Sequence, residues 1–207
     1  MAASWGYLGN GGTAAGNGAV PLPAGIQSGD LLVLLLAQNG SGAGASISGW
    51  TQFASSNFDI SAWYKFAGSS ESSPTGTGVS SSVAVILAYR TVGSLDAAGN
   101  VGTAANTTPN TSNHVTTTAT DDLVLSLYTV RQASITWTAR LPANTSVRIA
   151  ANPTSTKAGL LVADEDQAAA GSSATRTAGL SNTGQWGAAT AAFIAKAVMS
   201  FSDDLYF

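Results

Sequence analysis

The run from Gly29 to Ala37, G-D-L-L-V-L-L-L-A, holds the longest stretch of consecutive bulky aliphatics in the chain. A bilayer-spanning helix needs about 20 apolar residues, so this run is too short to cross a membrane. Turn residues precede it (Gln27-Ser28-Gly29-Asp30), and the segment from Leu31 to Gln38 reads as a buried central strand. A second version, D-L-V-L-S-L-Y-T, runs from Asp122 to Thr129. The two runs organise everything else.

Around them the apolar residues recur with a period of two. From Phe58 to Phe66, Phe58, Ile60, Ala62, Tyr64 and Phe66 fall on one face and Asp59, Ser61, Trp63 and Lys65 on the other. Val83 to Tyr89 alternates in the same way. Further strands are expected at Thr51 to Ala54, Ile135 to Leu141, Val147 to Ala150, Ala158 to Ala163 and Gly187 to Lys196, with a weak one from Arg176 to Leu180. Prolines in Ala19 to Gly25 make that segment an edge strand or an extended approach. Gly9 to Gly18 and Thr91 to Thr120 read as loops, the latter with one edge strand near Val115, because Gly, Asn and Pro favour turns. No long helix is expected.

Landmarks recur in order in the two halves. Asp30 and Asp122 each precede an aliphatic strand; Trp50-Thr51 is matched by Trp137-Thr138, Ala67-Gly68 by Ala170-Gly171, and Arg90 by Lys196. A pseudo-repeat of 19–92 and 115–198 follows, within one domain spanning 1–200 and ahead of a tail, 201–207. The period is too long for a solenoid repeat or a propeller blade. The fold class expected is all-β: a single jelly-roll-like β-sandwich built from two internally similar halves.

The two aliphatic strands differ on their second face. In the later one, Leu123, Leu125 and Leu127 oppose Val124, Ser126 and Tyr128, giving one apolar and one mixed face. In the earlier one, Leu31, Val33 and Leu35 oppose Leu32, Leu34 and Leu36, so both faces are apolar. A contiguous apolar patch is seldom left wet. Its cover comes either from this chain, through the Trp5/Tyr7 segment or a neighbouring loop, or from a neighbouring subunit. Leu32, Leu34 and Leu36 are therefore candidate subunit contacts, as are Phe201, Leu205, Tyr206 and Phe207 in the tail.

Charge excludes some partners. Charged residues make up 9 % of the chain and the formal net charge is −3, with eight Lys and Arg scattered singly. Nothing there tracks a phosphate backbone, so nucleic acid is not expected as a partner. Cysteine is absent. The first residues lack a basic and apolar leader pattern, which points to folding in a cytoplasm.

Few residues suggest chemistry. Asp164-Glu165-Asp166 is the densest acidic cluster; it reads as a solvated strand end, with Ca²⁺ binding or a glycosidase acid–base pair as alternatives. Asp30 and Asp121-Asp122 read as turn residues accepting backbone N–H bonds. His114, the sole histidine, cannot build a zinc site alone, and no G-x-S-x-G elbow accompanies it. Gly9 to Gly18 lacks a P-loop lysine. No cofactor, metal or catalytic residue is assigned. Trp50 and Trp137 read as packing residues, whereas Trp63, sharing a face with Asp59, Ser61 and Lys65, is the candidate glycan contact.

The series G-D-L-L (Gly29 to Leu32), S-G-W-T (Ser48 to Thr51), W-Y-K-F-A-G (Trp63 to Gly68) and I-L-A-Y-R-T-V (Ile86 to Val92) resembles β-sandwich virion proteins of tailed bacteriophages, of the tail-associated or capsid-decorating type. The resemblance covers about Ala19 to Val198 and rests on packing motifs. It implies a non-enzymatic structural protein, made in the bacterial host cytoplasm and located in the virion, which docks to a symmetric assembly. A homo-oligomer, trimer first, and other virion proteins are the partners it implies. A carbohydrate- or receptor-binding module of a tail fibre or cell-surface protein, meeting a host-surface glycan, is the alternative. A depolymerase is the third.

Overall fold

A computed structural model describes residues 5–16, 18–39, 46–56, 60–75, 82–109, 114–132, 134–138, 145–152 and 158–196. Every regular element among them is a β-strand. The first five are β1 (Gly6–Ala15), β2 (Leu31–Gln38), β3 (Thr51–Ser55), β4 (Ile60–Phe66) and β5 (Ser82–Arg90). They form one antiparallel sheet in the order β1-β5-β2-β4-β3. Next come β6 (Val92–Ala98), β7 (Gly102–Asn106), β8 (Thr116–Thr117), β9 (Asp122–Arg131), β10 (Ser146–Ala151), β11 (Gly159–Gln167), β12 (Gly171–Ser172) and β13 (Gly184–Ala195). The second sheet runs β10-β11-β9-β13-β6, with β7 also paired to β13, while β8 and β12 form a separate ribbon.

Each large sheet is thus filled by one contiguous stretch of chain. The crossover is the single residue Thr91, held in the left-handed region at φ 58° between β5 and β6. A jelly-roll-like arrangement, with chain interleaved between sheets, is not what this connectivity follows.

The sheets pack face to face. Leu31, Val33, Leu35, Ile60, Ala62, Val85, Leu87 and Tyr89 from the first meet Leu123, Leu125, Leu127, Leu160, Val162 and Phe193 from the second in one core. Phe193 links them directly, with its ring 5.4 Å from Tyr64 and 6.2 Å from Phe53, edge to face in both pairs. The alternation read from the sequence in Ile60 to Phe66 and Leu123 to Leu127 places the inward residues correctly. Phe58 and Asp59 lie outside the described residues.

Loops from the same chain seal the outer faces. Leu32, Leu34 and Leu36 are 0 % exposed, packed with Trp63, Ala84, Ile86, Val20, Leu22, Ile26, Ile47 and Trp50. The segment around Val20 is fastened by a bond from the Val20 N–H to the Pro74 carbonyl (3.0 Å). The cover is therefore the 20–26 and 47–50 loops; Trp5 and Tyr7 turn instead into the core between the sheets, against Tyr89. On the second sheet, Tyr128, Leu161, Ala163 and Trp186 lie under Ile135, Ala178 and Leu180. There the 178–181 segment is laced on both sides. Ala178 and Leu180 donate to the carbonyls of Pro109 and Thr107, Thr138 donates to Gly179, and Ser181 donates to Thr136. A Cβ on Gly179 would come within 2.3 Å of the Thr138 hydroxyl, so only glycine admits this approach.

Several sequence expectations need correction. Gly9 to Ala15, read as part of a loop, belongs instead to β1, which pairs with β5 through two register shifts, and there Gly12 takes φ 85°. Gly11 serves contact, since a Cβ there would sit 1.9 Å from the Pro21 carbonyl oxygen. Ala19 to Gly25 forms no strand and is the extended approach. The stretch Thr91 to Thr120 holds two strands, β6 and β7, besides β8 near Val115. β7 holds only small or polar side chains, and in β6 Val92 and Leu95 are three apart, so neither shows alternation. Ile135 to Leu141 is no strand where described: only Trp137 bridges, to Leu180, and 139–144 lie outside the described residues, while Arg176 to Leu180 is irregular cover.

Candidate functional site

The acidic run of β11 is not a solvated strand end. Strand alternation sends Asp164 inward and Glu165 outward, and both are buried, at 2 % and 5 % exposure. Arg148 on neighbouring β10 donates from Nε to Asp164 Oδ2 at 2.6 Å, and its guanidinium lies 4.4 Å from the Tyr7 ring centre. Burial outweighs that cation and pushes Asp164 above the ordinary carboxylate range. Tyr89, fully buried, is pushed well up by burial and by the Asp164 charge. Glu165 is gripped by Arg176 through two of the guanidinium nitrogens, Nε and Nη2. Two arginines, 16 residues before Asp164 and 11 after Glu165, thus pair two of the three acids of the run, while Asp166 is half-buried and its Oδ1 has no donor.

The two strand-opening aspartates also part company. Asp30 does accept a turn bond, from the Gln27 N–H at 2.7 Å, and Arg90 adds two more at 3.0 and 2.8 Å. Burial pushes Asp30 up, but these bonds and the charges of Arg90 and Lys196 hold it below its ordinary value. Asp122 accepts no backbone bond, contrary to the turn reading. It is 0 % exposed and both its oxygens lack a donor. Burial, then Asp96, Asp121 and Asp166, pushes its carboxyl up to about 7.

Trp63 is 1 % exposed and lies under the loop cover of the first sheet, so it is not a glycan platform. Leu32, Leu34 and Leu36 are equally out of reach of another subunit. Phe201, Leu205, Tyr206 and Phe207 lie outside the described residues. His114 is exposed, and among the described residues no three or more His, Cys, Asp or Glu converge to hold a metal.

Two hollows open beside the paired tryptophans. One, about 280 Å³, is lined by Trp50, Ser48, Lys65, Glu71, Ser72, Ser73 and Thr75. Lys65 is ion-paired to Glu71 at 2.8 Å, with its ammonium 5.8 Å from the Trp50 ring centre, and Glu71 also accepts the Gly68 N–H at 2.6 Å. The other, about 330 Å³, is walled by Thr107, Thr108, Thr138 and Thr177 with Gly179 and Leu180. Trp137 stands beside it, its indole N–H donating to the Ala151 carbonyl at 3.2 Å. Both offer hydroxyls and methyls with little net charge. The sequence reading missed them because their walls come from loops far apart in the chain.

Comparison with protein-family models, with curated proteins and with solved structures gives no match for this chain.

Proposed function

We propose that this chain is a non-enzymatic structural protein of a bacteriophage virion, capsid-decorating or tail-associated, which works by docking to a symmetric assembly. The observation that carries the reading is the commitment of its acids: Asp164 and Glu165 are tied to Arg148 and Arg176 inside the fold. That leaves a plate of two sheets closed on both outer faces by its own loops, built for contact rather than for turnover. The resemblance of Gly29 to Leu32, Ser48 to Thr51, Trp63 to Gly68 and Ile86 to Val92 to phage β-sandwich proteins supports it. So does the matching strand order of the two sheets, β1-β5-β2-β4-β3 and β6-β13-β9-β11-β10, which we read as two copies of one ancestral sheet.

Docking then falls to the loop-built surfaces and to residues 201–207, since the Leu32/Leu34/Leu36 face is spent internally. The partners are other virion proteins and further copies of this chain, with a trimer favoured. Imaging of intact particles bearing a labelled chain tests the reading, with light scattering for the oligomer. A monomer that never co-sediments with particles would sink it.

The alternative, a module that binds a host-surface glycan, is favoured by the Trp50 hollow, where a partly exposed indole is ringed by three serines and a threonine. Glycan-array binding that disappears in Trp50→Ala, and survives in a variant of the threonine-walled hollow, would select it.

A further inference from the structure

Asp122 presents a problem that the proposed docking role does not touch. It opens β9 on the outer face of the second sheet, fully buried, with no donor at either oxygen. Its surroundings make matters worse. From β6 comes Asp96, from its own strand entry Asp121, and from β11 Asp166, all acidic. Thr118, just past β8, gives both its N–H (2.6 Å) and its hydroxyl (2.5 Å) to Asp96. Lys196, which occupies at the end of β13 the place Arg90 holds at the end of β5, points to the Gly29 carbonyl and the Phe66 ring instead.

An ionised carboxylate stripped of water and left without a donor costs several kcal/mol. One proton resolves the conflict, because a protonated Asp122 becomes a donor and Asp96 is the acceptor it faces. Two carboxylates confined together commonly hold a single proton between them. A divalent cation would need further ligands, and no third acid joins the pair as one among the described residues. Asp96 itself sits at a bulge, unpaired between the Leu95–Phe193 and Ala97–Ala192 partnerships, on a strand at the sheet's edge. It can shift without breaking the sheet's centre.

We propose that Asp96 and Asp122 share one proton and form a pH-sensitive clasp that binds β6 and the Thr118 turn to the head of β9. The clasp is shut while the proton is held and loosens when it leaves. The direction follows from linkage. An aspartate whose folded pKa is raised from 3.8 to about 7 keeps its proton over a range in which the unfolded chain has lost it. Stability therefore falls as pH rises through that window, by about tenfold in the folding constant per pH unit, and levels off above it.

The test compares denaturant unfolding of the wild type and Asp122→Asn from pH 4.5 to 9. The asparagine amide supplies the donor permanently. Its advantage over the wild type should widen about tenfold per unit until near pH 7 and then hold constant. Amide exchange in 92–98 and 116–118 should accelerate above pH 7 beyond its intrinsic base catalysis in the wild type, and not in the variant. Carboxyl ¹³C titration of the wild type, with the Asp122 resonance assigned, decides the matter even if the variant fails to fold: Asp122 should titrate near 7. An advantage independent of pH, or Asp122 titrating below 5, overturns the clasp. So does a stabilisation by calcium chloride of chelator-treated wild type that Asp122→Asn lacks, which would mark a cation site instead.

Discussion

Asp30 and Asp122 open the middle strands of the two sheets, yet two cations gather at the first and none at the second. The difference extends to the sheets themselves. The first keeps its charges at the rim and in its loop cover, as Asp30–Arg90 and Lys65–Glu71, while its strands bury hydrocarbon on both faces. The second carries acids within its strands, Asp164 inward and Glu165 and Asp122 outward. One sheet is held mainly by packing; the other depends on neutralising what it buries. A fold can therefore repeat a strand order without repeating the forces that hold it.

The sharpest way to break this contrast is Arg148→Ala. It strands Asp164 inside the second sheet, and removing one partner of a buried pair costs about 3–5 kcal/mol. Chemical denaturation should show that loss, and the double variant Arg148→Met/Asp164→Leu should recover most of it. In the first sheet the equivalent injury is a cavity: Leu34→Ala should cost about 2–5 kcal/mol, with no dependence on pH. Asp122→Asn comes next and has the opposite sign, a gain at pH 8 of up to about 3 kcal/mol that shrinks toward pH 4.5. Asp30→Asn should reverse the trend. The depressed pKa of Asp30 contributes stability above 3.8 that is lost as pH falls through its folded value, so the variant's deficit should vanish in acid. Smallest is Glu71→Gln, which loosens a pair on the loop cover and should cost about 1 kcal/mol or less, and less still at high salt.

What could be read beforehand was whatever alternation reports directly. Ile60, Ala62, Tyr64 and Phe66 announce their face because each is apolar and polar Ser61 and Lys65 stand between them. β7 announces nothing, since Gly, Ala, Thr and Asn have the same signature in an edge strand as in a loop, and β6 offers only Val92 and Leu95, whose spacing across a bulge makes no alternation. Alternation also tells which face a residue takes, not whether that face is wet. Trp63 was assigned to the right side of its strand and to the wrong environment, because its cover comes from Val20, Ile47 and their neighbours. The acids 164–166 stand out as a cluster, but the arginines of Asp164 and Glu165 come from an adjacent strand and a loop, a pairing that only the folded register creates. The hollows beside Trp50 and Trp137 were hidden for the same reason.

The way the last strand leaves the molecule has a mechanical consequence. The Lys196 N–H is bonded to the carbonyl of Thr91, the very residue at which the chain passes from one sheet to the other. β13 behind it is flanked by β9 on one side and by β6 and β7 on the other. Tension applied beyond residue 196 would pull along β13 and load those ladders in parallel, so they would have to fail together rather than unzip one bond at a time. A tether attached there would hold the sheet stack by its best-anchored strand.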